Sequence, residues 1–91
     1  MLEKVKLALR LTTDAFDAEL NDLIDGAIAD LEHFAGIQIT DQNDPLIVRA
    51  VVTYCRANFG SPSDYDRVKA AYDEQKAQML VATGYGIAEE G

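Results

Sequence analysis

The sequence predicts an all-α fold, a small bundle of about four helices with a central apolar helix and a flexible C-terminal tail. Three observations carry that expectation. Apolar residues recur at three- and four-residue steps along most of the chain. The segment DPLIVRAVVTYCRANFG, residues 44–60, has the start, interior and stop of a complete helix. The one weakly alternating stretch, residues 37–43, has no evident strand to pair with.

Taken in order, Leu2, Val5 and Leu9 share one face of a short first helix, and Thr12, Thr13 and Asp14 offer a turn and an N-cap for the next. From Asp14 to about Ala35 the residues Phe16, Leu20, Leu23, Ile24, Ala27, Ile28, Leu31 and Phe34 keep helical spacing, and Gly36 is placed to end that helix. Residues 37–43 read as a loop. Asp44 can then accept hydrogen bonds from orphan N–H groups, Pro45 suits the first helical position, and Gly60 can take the left-handed conformation of a stop. Between them a thin polar strip of Arg49, Thr53 and Arg56 interrupts the apolar circumference, so this third helix belongs at the centre of the fold. The turn Ser61-Pro62-Ser63-Asp64 introduces a fourth helix, with Tyr65, Val68, Tyr72, Met79 and Leu80 at helical spacing, running to about Ala82. The closing residues GYGIAEEG hold three glycines and two glutamates and too little apolar surface to dock themselves, so a helical domain over 1–83 is followed by a mobile tail over 84–91.

Ninety-one residues suit one small domain, for which a stability of about 5–14 kcal/mol is usual, so contacts with partner subunits weigh heavily. No apolar run approaches the roughly 20 residues that span a bilayer, and Met1 is followed directly by LEKVKLALR rather than by a secretory signal, so the chain is expected to be soluble and made in the cytoplasm. The single cysteine, Cys55, sits on the most apolar helix and reads as a small buried hydrophobe, without the electropositive, exposed setting that activates a thiol.

Charge is unevenly spread. The net charge is −8, yet residues 11–48 carry nine acidic side chains and no Lys or Arg. Such an acidic second helix repels phosphate and gives no support to ordinary DNA binding. It is either a solvated face that aids solubility, or one that meets a basic surface on another subunit or lines a passage to which nucleic acid must not stick. Arg49 and Arg56, seven apart on the central helix, need partners, and a structural ion pair with carboxylates of the second helix is weighed against contact with a neighbouring chain.

Chemistry finds little to stand on. Asp30 and His33 share a helix face as a carboxylate–His metal pair would, but a di-metal bundle needs such a pair from each of two helices, and the chain has one histidine. Asp41 to Asp44 lacks the glycine and the final glutamate of a calcium loop, and there is neither a phosphate-binding glycine loop nor a serine beside a plausible base. Tyr54, Phe59, Tyr65 and Tyr72 fit core packing better than a base-stacking platform. The expectation is no enzyme, no cofactor, no catalytic residue and no metal.

The pattern LEKVKLALRLTTDAFDAELNDLIDGAIADL, the DPLIVRAVVTYCRANFG helix and the closing DYDRVKAAYDEQKAQML, in that order and spacing, resemble the phage head-tail connector family, small helical adaptors also associated with head completion and DNA packaging. The resemblance covers most of the chain. It implies a structural protein of a tailed phage or prophage, assembled in the bacterial host cytoplasm and resident in the virion. There it would be a homo-oligomeric ring, dodecameric in the particle, docked beneath the portal protein. The ring would join head to tail or to a tail-completion or stopper protein, and DNA would pass through its lumen without sequence-specific binding. It also implies that the C-terminal segment, with Tyr85 and Ile87, docks on the portal. Charge suggests how the ring closes: the acidic helix, through Asp22 and Asp25, against a basic face holding Lys4, Lys6 and Arg10 or Arg67 and Lys69. The competing reading is a monomeric acidic helical interaction module or small regulator.

Overall fold

The computed structural model of the chain describes residues 1–59 and 63–81, and all of their side chains except those of Phe34 and Val81. Among these residues four α-helices follow one another, α1 Leu2–Ala8, α2 Asp17–Ala29, α3 Pro45–Asn58 and α4 Tyr65–Val81, and a π-helical turn, Asp30–Phe34, prolongs α2. The protein is all-α, as its periodicity predicts. The tail over 84–91 lies outside the described residues.

The short α1 ends without a glycine. Arg10 takes the left-handed conformation, φ 61°, while its N–H donates to the Leu7 carbonyl at 3.1 Å and the Leu11 N–H donates to the Lys6 carbonyl at 2.9 Å. These are the two bonds of a Schellman motif, with an arginine where glycine is usual. An L-residue there costs roughly 1 kcal/mol. The stop was invisible in the sequence because the residue type argues against it.

Asp14 does not cap the second helix. That helix starts at Asp17, with Phe16 in the N-cap position and no side-chain cap. The Thr13 hydroxyl accepts from the Ala15 N–H at 3.1 Å. The Asp14 carboxylate is drawn instead to Lys6, whose ammonium lies 2.6 Å from Asp14 Oδ1 and 2.9 Å from Asp17 Oδ1. Lys6 is only 7% exposed. A charge taken that far from water must be paired, and the two carboxylates supply the partners. At the far end the Ala35 N–H reaches back to the Asp30 carbonyl at 3.0 Å and the Ile37 N–H to Leu31 at 2.8 Å. Gly36, at φ 72°, makes the predicted stop. In the loop that follows, Ile37 makes a single isolated β-bridge and is buried.

The third helix is capped as expected: Asp44 Oδ1 accepts from the Leu46 N–H at 2.9 Å, with Pro45 at the first helical position. It packs against α4, α2 and α1. Ile47, Ala50, Val51 and Cys55 supply the middle of the core, against Leu20, Ile24, Ala27 and Leu31 of the α2 arm. Thr53 on the polar strip is buried too, and its hydroxyl donates to the Arg49 carbonyl at 2.9 Å. Burial pushes the Cys55 thiol up to about 11, so it stays protonated and packs as a hydrophobe. Phe59 leaves the helix with an extended backbone, and the predicted stop at Gly60 lies outside the described residues.

In α4 the inward positions are Val68, Tyr72 and Met79, whereas Tyr65 and Leu80, also predicted for the apolar face, are 40% and 44% exposed. The substantial packing of α4 is with α3 alone, so one helix covers only one stripe of it. Phe16 and Phe59 meet edge to face at 5.3 Å, tying the start of α2 to the end of α3.

Replacing Arg10 by Gly removes the strain of the left-handed position without touching the core. Arg10→Gly should raise stability by about 1 kcal/mol in urea unfolding monitored by helicity. An unchanged or lowered midpoint would show that the left-handed arginine carries no such cost.

Candidate functional site

Three depressions of the surface bear on function. The first, about 230 Å³, opens where the π-helical turn meets α3 and α4, and is lined in part by Asp30, Tyr54, Tyr65, Lys69, Tyr72 and Lys76. The Tyr72 hydroxyl donates to Asp30 Oδ2 at 2.6 Å and Lys76 Nζ donates to the same oxygen at 3.0 Å. The Lys76 ammonium also stands 4.7 Å from the Tyr72 ring centre, and Tyr54 meets that ring edge-on at 5.3 Å. Asp73 accepts from Lys69 at 3.0 Å and lies 3.6 Å from Lys76. Gly26 on α2 makes room for this arrangement: a Cβ there would sit 3.2 Å from the Tyr54 hydroxyl.

The electrostatics of this cluster point away from proton transfer. Burial, then the bond to Asp30, drives the Tyr72 phenol far above its ordinary value, and burial raises Tyr54 as well. The hydrogen bond between them raises Lys69 and lowers Asp73. These four shifts all lead away from neutral pH, so Tyr54, Tyr72, Lys69 and Asp73 are not poised to act as general acid or base there. Two lysines face two aspartates, and the cluster neutralises itself. It braces the end of the α2 arm against α4.

The second depression, about 420 Å³, lies between the start of α1, α2 and the π-helical turn, with Asp25 and Glu32 on its wall and Met1, Leu2, Ile24 and Ile28 among its apolar lining. The third, about 350 Å³, runs between α3 and α4 and carries Arg49, Arg56 and Arg67 over Val52, Val68 and Ala71.

The predicted interface residues divide unevenly among these places. Asp22 and Asp25 are exposed on α2, and among the described residues no cation pairs with them. Lys4 and Arg10 are exposed. Lys6 leaves the predicted basic face altogether, because its ammonium is consumed inside the chain by Asp14 and Asp17. Lys69 is held by Asp73, and Arg67 by Asp64 at 2.6 Å. Arg49 and Arg56 form no structural ion pair with the second helix: both are exposed, among the described residues neither has a carboxylate partner, and Arg56 reaches only the Ala8 carbonyl at 3.5 Å. The physical reason is that their strip of α3 faces the α3–α4 groove while the acidic face of α2 points elsewhere. Asp30 is turned to Tyr72 and Lys76 rather than grouped with the exposed His33. Tyr85 and Ile87 lie outside the described residues.

The Asp30–Tyr72–Lys76 cluster had no legible signal, since its members are 42 and 46 positions apart in the chain. Glu32 joins Asp25 on one wall of the second depression.

A protein-family model described as phage connector protein matches residues 1–86. The chain belongs to the phage connector protein family. No curated protein and no solved structure matches it significantly. The connector is thus a component of the phage virion and a member of a structural family rather than of an enzyme family. No described helix of the connector is long and apolar enough to cross a membrane. Among the described residues no group of three or more His, Cys, Asp and Glu side chains could hold a metal ion.

The brace gives the connector a pH-dependent term. The folded pKa of Tyr72 exceeds its unfolded value, so its contribution is complete below about pH 10 and is lost as pH rises above that value. Tyr72→Phe should cost about 1–3 kcal/mol at neutral pH and shrink the fall in melting temperature between pH 9 and 11. An equal alkaline fall in both proteins would assign it to other groups.

Proposed function

We propose that the connector is the head–tail adaptor of a tailed phage or prophage. Copies form a ring, dodecameric in the virion, beneath the portal protein. The ring joins the head to the tail or to a tail-completion or stopper protein, and DNA passes through its lumen without sequence-specific contacts. Assembly takes place in the bacterial host cytoplasm. Family membership over residues 1–86 is the observation that carries this reading. The exposed charge supports it, because an acidic face and a separate arginine groove on one chain suit head-to-tail association of copies. On this reading the helical domain over 1–83 builds the ring, and the tail over 84–91, through Tyr85 and Ile87, orders on the portal.

Mixing the purified chain with portal assemblies of the same phage should add a stacked ring, visible by electron microscopy and as a step in particle mass. Absence of binding at every salt concentration would move the assignment to a monomeric acidic interaction module. Deleting residues 84–91 should leave helicity unchanged and weaken attachment to the portal. If the shortened chain fills the portal as well as the full chain does, the tail has no docking role.

A further inference from the structure

The groove between α3 and α4 collects three guanidinium groups on a chain whose net charge is −8. Asp64 holds Arg67, but Arg49 and Arg56 have no carboxylate partner among the described residues. We propose that this groove receives the acidic wall formed by Asp25 and Glu32 of a second copy of the chain, and that this contact is the one that propagates the ring. The assignment rests on the ring proposed above and identifies which of its surfaces meet.

Three features favour a second copy over a nucleic acid. First, the complementary surface lies on the chain itself: Asp22, Asp25 and Glu32 are exposed, and no cation pairs with them among the described residues. Second, the spacings agree. Arg49 and Arg56 are seven apart on α3, as Asp25 and Glu32 are along α2 and its π-helical extension. The α3 pair spans two turns, about 10 Å, and the two carboxylates line one depression, so two arginines can meet two carboxylates. Third, both surfaces are amphipathic. The arginines stand over Val52, Val68 and Ala71, and the acidic wall rises beside Met1, Leu2 and Ile28. Closing one on the other buries apolar area that a phosphate backbone would leave wet.

The two surfaces are different, so the contact is heterologous: each copy keeps a free groove at one side and a free acidic wall at the other, and the chain of contacts continues until it closes. Lys6, Lys69 and Lys76 have no part in it, because they are already held by Asp14 and Asp17, by Asp73 and by Asp30.

Two full-length variants test this. Arg49→Glu with Arg56→Glu makes both surfaces acidic, and Asp25→Lys with Glu32→Lys makes both basic. All four positions are exposed, and unchanged helicity confirms that each variant folds. On portal assemblies that the wild-type chain fills, each variant alone should lose ring formation, while their equimolar mixture should restore it with alternating copies and a one-to-one composition by mass. The milder Arg49→Gln with Arg56→Gln should form a weaker ring that is less sensitive to salt than the wild type. Rings formed normally by either charge-reversed variant alone would overturn the contact and leave the groove to another partner, nucleic acid included. Failure of the mixture to restore the ring would overturn it too. A wild-type chain that never stacks on the portal removes the ring reading itself, whereas wild-type rings joined by variant rings remove only this interface.

Discussion

The covering of α3 is the constraint on which the rest of the structure depends. Its buried positions, Ile47, Ala50, Val51, Cys55 and Ala57, face in several directions, and no single neighbour can hide them. The α2 arm and α4 take the two largest shares, and α1 closes a remaining strip. Each covering helix then needs only one apolar stripe and can be charged elsewhere. Hence α4 exposes Tyr65 and Leu80, and α1 exposes Leu7. The arrangement leaves Arg49 and Arg56 on the part of α3 that no helix covers.

Charge is sorted by side-chain type around that core. The lysines with short carboxylate contacts stay within the chain: Lys6 staples α1 to the start of α2, Lys76 ties α4 to the π-helical turn, and Lys69 pairs along its own helix. The ammonium is a compact point charge that can follow a flexible stem to a nearby carboxylate. The arginines of the α3–α4 groove are exposed and present planar, multi-donor groups. Among the described residues Asp22, Asp25 and Glu32 on α2 and its extension have no cation partner, so exposed charge of opposite sign is left on two different surfaces.

The same logic explains why the chemistry is quiet. The pocket beside Asp30 has the tyrosines, lysines and carboxylates from which active sites are made. Yet its charges cancel in pairs, and its resolved shifts lead away from neutral pH. The bond from Tyr72 to Asp30 and the Lys76 ammonium beside that ring give rigidity at the junction of α2, α3 and α4.

Local information determined the number and type of the elements. The Asp44 cap, Pro45 and the apolar positions between them specify α3, and the left-handed Gly36 ends the α2 arm, because capping and periodicity act over a few residues. The acidic character of α2 was equally legible, since its exposed face follows from the helical repeat. Tertiary structure decided the partners. Lys6 belongs to a predicted basic surface on spacing alone, but packing of α1 on α2 and α3 buries it beside Asp14 and Asp17, where the cost of desolvating an ammonium compels an internal pair. Asp30 reads as half of a metal pair until α4 brings Tyr72 and Lys76 to it. Arg10 ends α1 in a conformation its residue type disfavours, because continuing the helix would carry the chain away from the core that Leu11 joins. In each case an interaction between distant segments outweighs a local preference, and only the folded chain brings those segments together.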